Sequence, residues 1–388
     1  MHILILPSSF PNKYSPVRGI FYQQQALALH NAGMKIGAIV PDIYSLRNLL
    51  NFKLLRKSFH TYTDTSYPFP VLRINGFNIL PGFSFFQKFI FRTYAKKLFR
   101  LYESEFGKPD IIHAHTSVWA GYAACVISKK TGIPVILTEH SSGLTRKLFD
   151  KWQMKSMAFA VQNSNSIIAV SDKLKNDIRK SFSTSGEISV IPNIINVKGF
   201  QLAQNLYNNR NKLVTVANLN KNKGINVLIK AFKIASGKLP ELSLTIAGDG
   251  NQKQNLIKLA KSYNLQNKIH FTGSLHPEEI AVLLNNSGLF VSSSYFETFG
   301  VAIAEALSCG LPVVVTRSGG PEEFVNLKNG LLCNTGDPQE LADCIIAIIS
   351  KYSTFVPEQI RQEIINRFSS EVIVLQLQKQ YNSTCKMC

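Results

Sequence analysis

The sequence predicts an α/β protein built from two doubly wound parallel sheets. Short apolar runs rich in β-branched residues alternate with longer stretches of helical periodicity from end to end of the 388-residue chain. That alternation is typical of parallel strands covered by helices on both faces. The length fits two domains, while 45% hydrophobic and 17% charged residues exclude a disordered or collagen-like chain.

The predicted strands fall into two sets separated by a polar stretch. The first set lies at residues 2–6, 35–40, 111–114, 135–138, 167–170 and 189–191, and the second at 213–217, 242–247, 269–272, 289–291 and 313–315. Between them, Pro192 to Arg210 is rich in Asn and lacks periodicity. We therefore predict an N-terminal domain over 1–195, a linker over 196–210, a C-terminal domain over 211–356, and helices over 357–388 that pack back across the interdomain surface.

Positive charge is concentrated in the first half of the chain. The protein has 43 Lys and Arg against 24 Asp and Glu, a net charge of +19, and residues 1–195 hold 24 basic and 10 acidic side chains. Within them, residues 45–108 carry 11 basic residues against only Asp64, Glu103 and Glu105, and this segment interrupts the strand and helix alternation. Such a skew indicates an anionic partner, which is nucleic acid, a phospholipid surface or a phosphorylated substrate.

A helix predicted in this segment has a basic side and an apolar side. Its residues recur every fourth position in two rows: Lys88, Arg92, Lys96, Arg100 and Phe86, Ile90, Tyr94, Leu98. Either the apolar row packs on its own domain, or the helix rests on anionic lipid. We predict contact with an anionic membrane surface and no nucleic-acid partner, because no base-reading motif occurs.

The sequence shows neither a secretory signal nor an apolar run approaching the roughly 20 residues that span a bilayer. Six scattered cysteines fit unpaired thiols of a reducing compartment. We therefore expect a cytoplasmic protein that is peripheral on the inner face of the cytoplasmic membrane.

The most specific chemical pattern lies at residues 294–314. Glu297 precedes a predicted helix, Gly300 allows close backbone approach where that helix begins, and Glu305 is the only charge in 299–309. A carboxylate on an apolar helix needs hydrogen-bond donors, which sugar hydroxyls would supply, unless it pairs with a nearby Lys. Free backbone N–H groups at the helix start can meet an anion; they belong to Phe299, Gly300 and Val301.

This segment resembles the E-x7-E signature of retaining glycosyltransferases of family 4. Other segments resemble further family motifs in the family's order: Val216–Leu219 with Lys223–Gly224, Ile246–Gly250, Phe271–Gly273, Ser318–Gly320 and Asn329–Leu332. The resemblance covers nearly the whole chain. It implies the GT-B fold, in which two Rossmann-like domains face each other across a cleft, and a nucleotide-diphosphate sugar bound mainly by the C-terminal domain.

In the C-terminal domain the resemblance assigns donor-binding roles to single residues. Glu305 matches the acid that holds the ribose hydroxyls, and Glu297 matches the catalytic acid beside the transferring sugar, whose hydroxyls also meet the backbone at 299–301. Lys223 matches the base that neutralises the diphosphate. Asn218 stands where many members have Arg, so either Lys221 or Arg18 compensates or phosphate binding is weaker than usual.

In the N-terminal domain the resemblance concerns one loop and the ends of two strands. Gly19 matches a glycine that approaches the donor diphosphate, with Arg18 as an extra cation, or it is simply a helix-entry glycine. His140 matches the catalytic histidine that reaches the donor sugar, His115 is assigned to the acceptor side, and His113 is interpreted as structural. A two-histidine metal site is an alternative. However, no Glu or Cys lies at ligand spacing from these histidines, and the sequence contains no Asp-x-Asp. We therefore predict no metal and no cofactor.

Together with these residues, the resemblance implies a retaining, metal-independent glycosyltransferase. It would move a sugar from a UDP- or GDP-sugar to a lipid-linked or oligosaccharide acceptor in capsule, O-antigen or exopolysaccharide biosynthesis. One alternative is a nucleotide-sugar epimerase on the same fold, but an epimerase would not need the basic segment. Another is a non-catalytic scaffold of a polysaccharide assembly complex, but a scaffold would not need the charged cluster of Glu297, Glu305, Lys223 and His140. A dehydrogenase is disfavoured because Gly248-Asp249-Gly250 lacks the third glycine of a dinucleotide-binding loop.

Overall fold

The computed structural model divides the chain into two compact units. Unit 1 comprises residues 1–194 and 370–388, and unit 2 comprises residues 195–369. The structure describes residues 1–12, 15, 18–45, 59–78, 80, 83–184 and 186–386. The observed boundary lies one residue from the predicted one at 195. Residues 196–210, predicted as a linker, belong instead to unit 2, where Phe200 is buried and the Ala203 N–H donates to the Cys309 carbonyl at 2.9 Å.

Unit 1 is built on an eight-stranded sheet in the described part of the chain. Its strands are β1 His2–Pro7, β2 Lys35–Ser45, β3 Thr61–Thr63, β4 Val71–Asn78, β5 Ile111–His115, β6 Val135–Glu139, β7 Ser166–Ala169 and β8 Ile188–Val190. The order is β3-β4-β2-β1-β5-β6-β7-β8, and only β3 pairs antiparallel. Its helices include α1 Ile20–Asn31, α2 Ser84–Phe106, α3 Tyr122–Thr131, α4 Lys151–Asn163 and α5 Asp172–Ser181.

Two of these strands fall in the basic segment, where the sequence analysis predicted none. β4 pairs in parallel with β2 and is buried along almost its whole length. Its apolar pattern is interrupted by Arg73, which is completely buried and forms ion pairs with Asp42 and Asp64 at 2.8 Å each. A charged residue in a buried strand needs such partners, and these come from elsewhere in the chain. Residues 46–58 of the segment lie outside the described residues.

The predicted basic helix is α2, but its apolar row is not a solvent-facing stripe. Leu98 is fully buried, and Tyr94 packs so closely under β4 that a Cβ on Gly76 would lie 2.3 Å from Tyr94 Cε2. The aromatic residues that α2 does expose are Phe85, Phe86 and Phe89. Tyr94 and Leu98 therefore pack on their own domain, as the first alternative for the apolar row states, because they support the sheet.

Unit 2 is built on six parallel strands: β9 Lys212–Val216, β10 Ser243–Ala247, β11 Ile269–Gly273, β12 Leu289–Ser292, β13 Val313–Thr316 and β14 Gly330–Cys333. The order is β11-β10-β9-β12-β13-β14, so successive connections reverse direction between β9 and β12. The helices are α6 Ile225–Lys238, α7 Lys253–Ser262, α8 Pro277–Asn285, α9 Val301–Ser308, α10 Pro338–Ser350 and α11 Pro357–Phe368. Both units therefore have the predicted α/β, Rossmann-like architecture.

The two C-terminal helices belong to different units, a division that the prediction for 357–388 did not make. α11 is part of unit 2, where Phe368 is buried and Arg361 Nη2 donates to the Val197 carbonyl at 2.7 Å. α12, Ser370–Lys386, is part of unit 1 and places Ile373 and Tyr381 in the same core as Tyr22. None of the helices in the described residues is long and apolar enough to cross a bilayer.

Candidate active site

The candidate site in unit 2 lies where the strand order reverses. β9 and β12 are neighbours whose chain connections run to opposite sides, which opens a crevice at their carboxyl ends. The loops that follow them touch: a Cβ on Gly224 would lie 2.1 Å from the Ser293 carbonyl oxygen, and Gly224 has φ 59°. Glycine is required here by both space and backbone conformation. The close approach brings the residues before Gly224 next to those after β12.

Lys223 and Glu297 form an ion pair across these two loops. Lys223 Nζ lies 2.5 Å from Glu297 Oε1, and the Ser294 hydroxyl donates to the same oxygen at 2.8 Å. Glu297 Oε2 accepts no hydrogen bond from any residue that the structure describes. The side chains are 24% and 17% exposed, so both stay within reach of a ligand. The pair presents a fixed ammonium group and one carboxylate oxygen with unused acceptor capacity.

The backbone of Glu297 is held by hydrogen bonds to the loop that follows β13. The Glu297 N–H donates to the Ser318 carbonyl, and the Gly320 N–H donates to the Glu297 carbonyl, each at 2.9 Å. A Cβ on Gly320 would lie 2.3 Å from the Thr298 carbonyl oxygen, so this contact requires glycine. Glu297 is thus held by its main chain as well as by Lys223, which limits the reorganisation that ligand binding would cost.

α9 begins directly after this loop. Gly300 precedes it with φ 97°, in the left-handed region. In the described part of the chain, no oxygen accepts a hydrogen bond from the N–H groups of Phe299, Gly300 and Val301. The Phe299 ring packs against Phe324 and Phe368, so only the backbone of this residue is available to a ligand. The predicted anion-binding helix start therefore has free donors.

Glu305 lies farther along α9. Its carboxyl group forms no hydrogen bond or ion pair with any of the described residues, so neither Lys223 nor another lysine among them neutralises it. Burial raises the pKa of Glu305 to about 8. A ligand that donates hydroxyl hydrogens would favour the charged form and lower this pKa again.

Asn218 and Lys221 lie on the same β9 loop with exposed side chains. The Asn218 side-chain oxygen accepts a hydrogen bond from Asn220 Nδ2 at 3.4 Å, and Lys221 opens the short 3₁₀ turn Lys221–Lys223. Lys221 is therefore a cation near the position where Asn218 replaces the arginine frequent in the family pattern. Asn222, between the two lysines, was not singled out from the sequence; its Nδ2 donates to the Phe296 carbonyl at 2.9 Å and ties the loops together.

Unit 1 gathers its predicted histidines at the carboxyl ends of β5 and β6. His115 Nδ1 and His140 Nε2 are 3.1 Å apart, and His140 Nδ1 lies 3.0 Å from Asn193 Oδ1. Burial lowers the pKa of His140 to about 3, so the ring is neutral. His115 is completely buried, and its Nε2 has no partner among the described residues. The assigned roles of His140 near the donor sugar and of His115 on the acceptor side stay predictions.

His113 has the structural environment that the sequence analysis assigned to it. Its two ring nitrogens lie 2.7 Å from the hydroxyl oxygens of Tyr381 and Thr138, and the residue is completely buried. Burial lowers the pKa of His113 to about 3. The hydrogen bond to Tyr381 links α12 to β5.

Glu139 is a buried acid that the sequence analysis missed. Its Oε1 accepts the backbone N–H groups of His140 and Ser141, at 2.9 and 2.8 Å, and its Oε2 accepts that of Ser117 at 2.9 Å. A carboxylate at the end of a strand that begins with the apolar run Val135–Leu137 is the signal that marks such a residue. Here it shapes the loop that carries His140.

Gly19 and Arg18 stand at the start of α1. Gly19 has φ 78°, and a Cβ there would lie 2.6 Å from the Ser9 carbonyl oxygen. This close contact within unit 1 already requires glycine at position 19, which agrees with the alternative that Gly19 is a helix-entry glycine. Arg18 is exposed. Their predicted roles toward the donor diphosphate stay predictions.

Two family profiles match the chain, approximately one to each unit. The profile described as "Glycosyl transferases group 1" matches residues 200–367, and the one described as "Glycosyltransferase Family 4" matches residues 59–198. Among curated proteins, the N-acetyl-alpha-D-glucosaminyl L-malate synthase of Bacillus anthracis is 26% identical over 285 residues, covering 70% of this chain and 74% of the relative. The putative teichuronic acid biosynthesis glycosyltransferase TuaC of Bacillus subtilis is 27% identical over 361 residues, covering 89% and 88%.

Solved structures share the fold over the whole chain. Sucrose-phosphate synthase from Thermosynechococcus elongatus superposes with a TM-score of 0.81 and 19% identity, covering 100% of both chains. Anabaena HepE in complex with UDP-glucose superposes with a TM-score of 0.74 and 20% identity, covering 99% of this chain and 100% of that one.

Proposed function

The chain belongs to glycosyltransferase family 4 and has the GT-B fold, and we propose that it transfers a sugar from a nucleotide-diphosphate donor with retention of configuration. The proposed acceptor is a lipid-linked sugar or an oligosaccharide in the assembly of a capsule, O-antigen or exopolysaccharide. TuaC, a relative named for teichuronic acid biosynthesis, supports a polymer of this kind.

The observation that carries the proposal is the Lys223–Glu297 pair at the reversal point of the unit 2 sheet. A diphosphate needs cations and N–H donors, which Lys223 and the start of α9 supply together. The hexose beside the diphosphate offers hydroxyl hydrogens, and Glu297 Oε2 has the capacity to accept one. A single ligand that combines phosphate with sugar hydroxyls satisfies both halves of the pair.

Glu305 extends the same argument to the nucleoside. A ribose presents two neighbouring hydroxyl groups, and a carboxylate accepts both in a bidentate arrangement. No described residue donates to the Glu305 carboxyl group, and burial raises its pKa. We assign the ribose to Glu305 and the transferring sugar to Glu297.

The proposed reaction breaks the bond between the anomeric carbon and the β-phosphate oxygen. The acceptor oxygen bonds to the same face of that carbon, and its proton passes to the departing phosphate oxygen. Lys223 stabilises the negative charge that grows on the diphosphate, and its ion pair with Glu297 fixes the ammonium before the reaction starts.

UDP-sugars are the first donors to test, because the HepE structure of the same fold contains UDP-glucose. Calorimetric titration with UDP-, GDP- and ADP-sugars is expected to show saturable binding of one nucleotide class. Product analysis with and without lipid-linked acceptors then separates the alternatives: an epimerase changes the donor without acceptor, and a scaffold binds no nucleotide sugar. Absence of binding by every nucleotide sugar would refute the proposal.

Metal independence gives a separate prediction. Among the described residues, no three His, Cys, Asp or Glu side chains cluster in a way that could hold a metal ion. Because Lys223 and the N–H groups at the start of α9 are proposed to neutralise the diphosphate, the transfer rate in excess EDTA should equal the rate with Mg²⁺ or Mn²⁺. Initial rates measured after removal of metals with chelating resin test this. A strict requirement for a divalent ion would contradict it.

A further inference from the structure

The exposed face of α2 combines two features that the transferase site does not use. Counting along the helix at intervals of three and four residues, one stripe begins with Phe85, Phe86 and Phe89 and continues with Arg92, Lys96, Lys97 and Arg100. The opposite face is packed on unit 1 through Phe91, Ala95, Leu98, Phe99 and Tyr102. The helix therefore shows solvent an aromatic end followed by a basic stretch.

The aromatic end is enlarged by neighbouring elements. Phe83, Phe85, Phe86, Phe89 and Trp152 are each between 43% and 62% exposed, and we call this group the aromatic collar. Phe85 and Trp152 are in contact, with ring centroids 5.5 Å apart. The Ser84 hydroxyl donates to Asp150, which caps α4, so α4 is held beside the start of α2. Contiguous exposed aromatic rings of this kind mark interaction surfaces in proteins.

The basic stretch lines a groove of about 580 Å³. Thr61, Thr93, Leu101 and Ser104 complete its wall around the four cations Arg92, Lys96, Lys97 and Arg100. None of the four forms an ion pair with a residue that the structure describes, and the only acids of α2, Glu103 and Glu105, follow them. We call this the basic groove.

The four cations of the basic groove repel one another, and a bound anion would relieve this repulsion. Desolvation and the neighbouring cations Arg92, Lys130 and Arg100 lower the pKa of Lys96. The Thr61 hydroxyl adds a donor of the type that phosphate oxygens accept, whereas the hydroxyls of Thr93 and Ser104 donate to the Phe89 and Leu101 carbonyls of α2. The groove is suited to phosphate groups, and the adjoining collar is suited to the headgroup and acyl boundary, into which interfacial helices insert Trp and Phe.

We propose that the aromatic collar and the basic groove together seat unit 1 on an anionic phospholipid bilayer. The collar enters the headgroup region, and the groove binds lipid phosphates. A soluble phosphate would use the groove but leave the collar in water, whereas a bilayer occupies both. This inference does not depend on the transferase chemistry, although it would bring the enzyme to a lipid-linked acceptor.

Vesicle flotation with phosphatidylcholine alone or mixed with phosphatidylglycerol tests the proposal. The parent protein should float with the mixed vesicles and not with the neutral ones. Basic residues near an anionic surface attract it until salt screens them, so replacing all four groove cations by Glu should weaken partitioning at least tenfold. The matched control replaces four exposed cations outside α2 by Glu: Arg179, Lys180, Lys258 and Lys261. It changes the net charge equally and should keep most of the binding.

A second variant, Phe85→Ser with Phe86→Ser and Phe89→Ser, tests the collar without changing charge. It should also reduce flotation at least tenfold, and nucleotide-sugar binding in all variants should match the parent, which separates this proposal from the transferase function. Equal flotation of parent and groove variant would overturn the proposal. So would an equal loss in the charge-matched control, or binding to RNA in preference to vesicles.

Discussion

Replacing Glu297 by Gln is expected to reduce kcat by about 10²–10³-fold, the range found when one preorganised electrostatic group is removed from an active site. Gln keeps the size of the side chain and can still accept the Ser294 hydroxyl. It removes the negative charge that holds Lys223 Nζ at 2.5 Å and weakens the contact proposed for the transferring sugar. Initial rates of sugar transfer, or of donor hydrolysis where no acceptor is present, measure the effect.

Stability should change little in this variant. The two side chains are partly exposed, and ion pairs in that setting contribute about 1 kcal/mol or less. The hydrogen bonds that the Glu297 main chain donates to Ser318 and accepts from Gly320 persist. A thermal midpoint that falls in proportion to the activity would show that the pair is structural.

A matched control uses another lysine and acid pair. Asp177→Asn breaks the pair of Lys173 with Asp177 in unit 1, which has a 2.7 Å separation and an acid that is 13% exposed. Its activity should equal that of the parent. Lys223→Met should weaken nucleotide-sugar binding, and the Lys223→Met, Glu297→Gln double variant should lose less than the sum of the single losses, because the two groups act as one unit.

Glu305→Gln is expected to weaken nucleotide-sugar affinity by about 10²-fold, since two charge-assisted hydrogen bonds from the ribose become neutral ones. In the parent, the affinity should rise with pH from about 6 to about 8, by up to tenfold per pH unit, and then level off. Unliganded Glu305 has a pKa of about 8, and the ligand favours the charged form, so binding releases a proton below that pH. Calorimetric titration of the nucleotide sugar at several pH values should show this slope in the parent and a flat profile in the variant.

The same substitution should stabilise the unliganded protein at high pH. The folded-state pKa of Glu305 is raised above its usual 4.5, so the folded chain holds a proton that the unfolded chain has released. The stability of the parent therefore declines as pH rises from about 4.5 through about 8, whereas Gln has no proton to lose. The thermal midpoint of the variant minus that of the parent should be near zero at the acid end and grow to several degrees above pH 8.

Glu278→Gln, an exposed acid in the first turn of α8, is the control for both measurements. It should alter neither the pH slope of binding nor the midpoint difference. A Glu305→Gln variant that loses stability at every pH would indicate a structural carboxylate, and one that binds nucleotide sugar as the parent does would remove Glu305 from the donor site.

The sequence by itself determined the α/β class and eleven of the strands, and it named most of the residues that we propose for the unit 2 site. Apolar runs and helical periodicity are local properties, and Glu297, Gly300 and Glu305 lie within nine residues of one another. Strand β4 was not predicted because Arg73 interrupts its apolar run. The acids that neutralise Arg73, Asp42 and Asp64, are brought next to it only in the folded chain. The exposed stripe of α2 was not predicted, because helical periodicity defines rows of residues but does not tell which row packs against the sheet.

Only the tertiary structure decided which distant groups meet. Lys223 and Glu297 are 74 residues apart, and they pair because the strand order places β9 beside β12 and a glycine lets their loops touch. Likewise, α11 and α12 follow each other in sequence but belong to different units, because Phe368 packs with Phe299 whereas Tyr381 bonds to His113. Long-range packing of apolar faces and pairing of buried polar groups select these partners, and neither leaves a periodic signal in the chain.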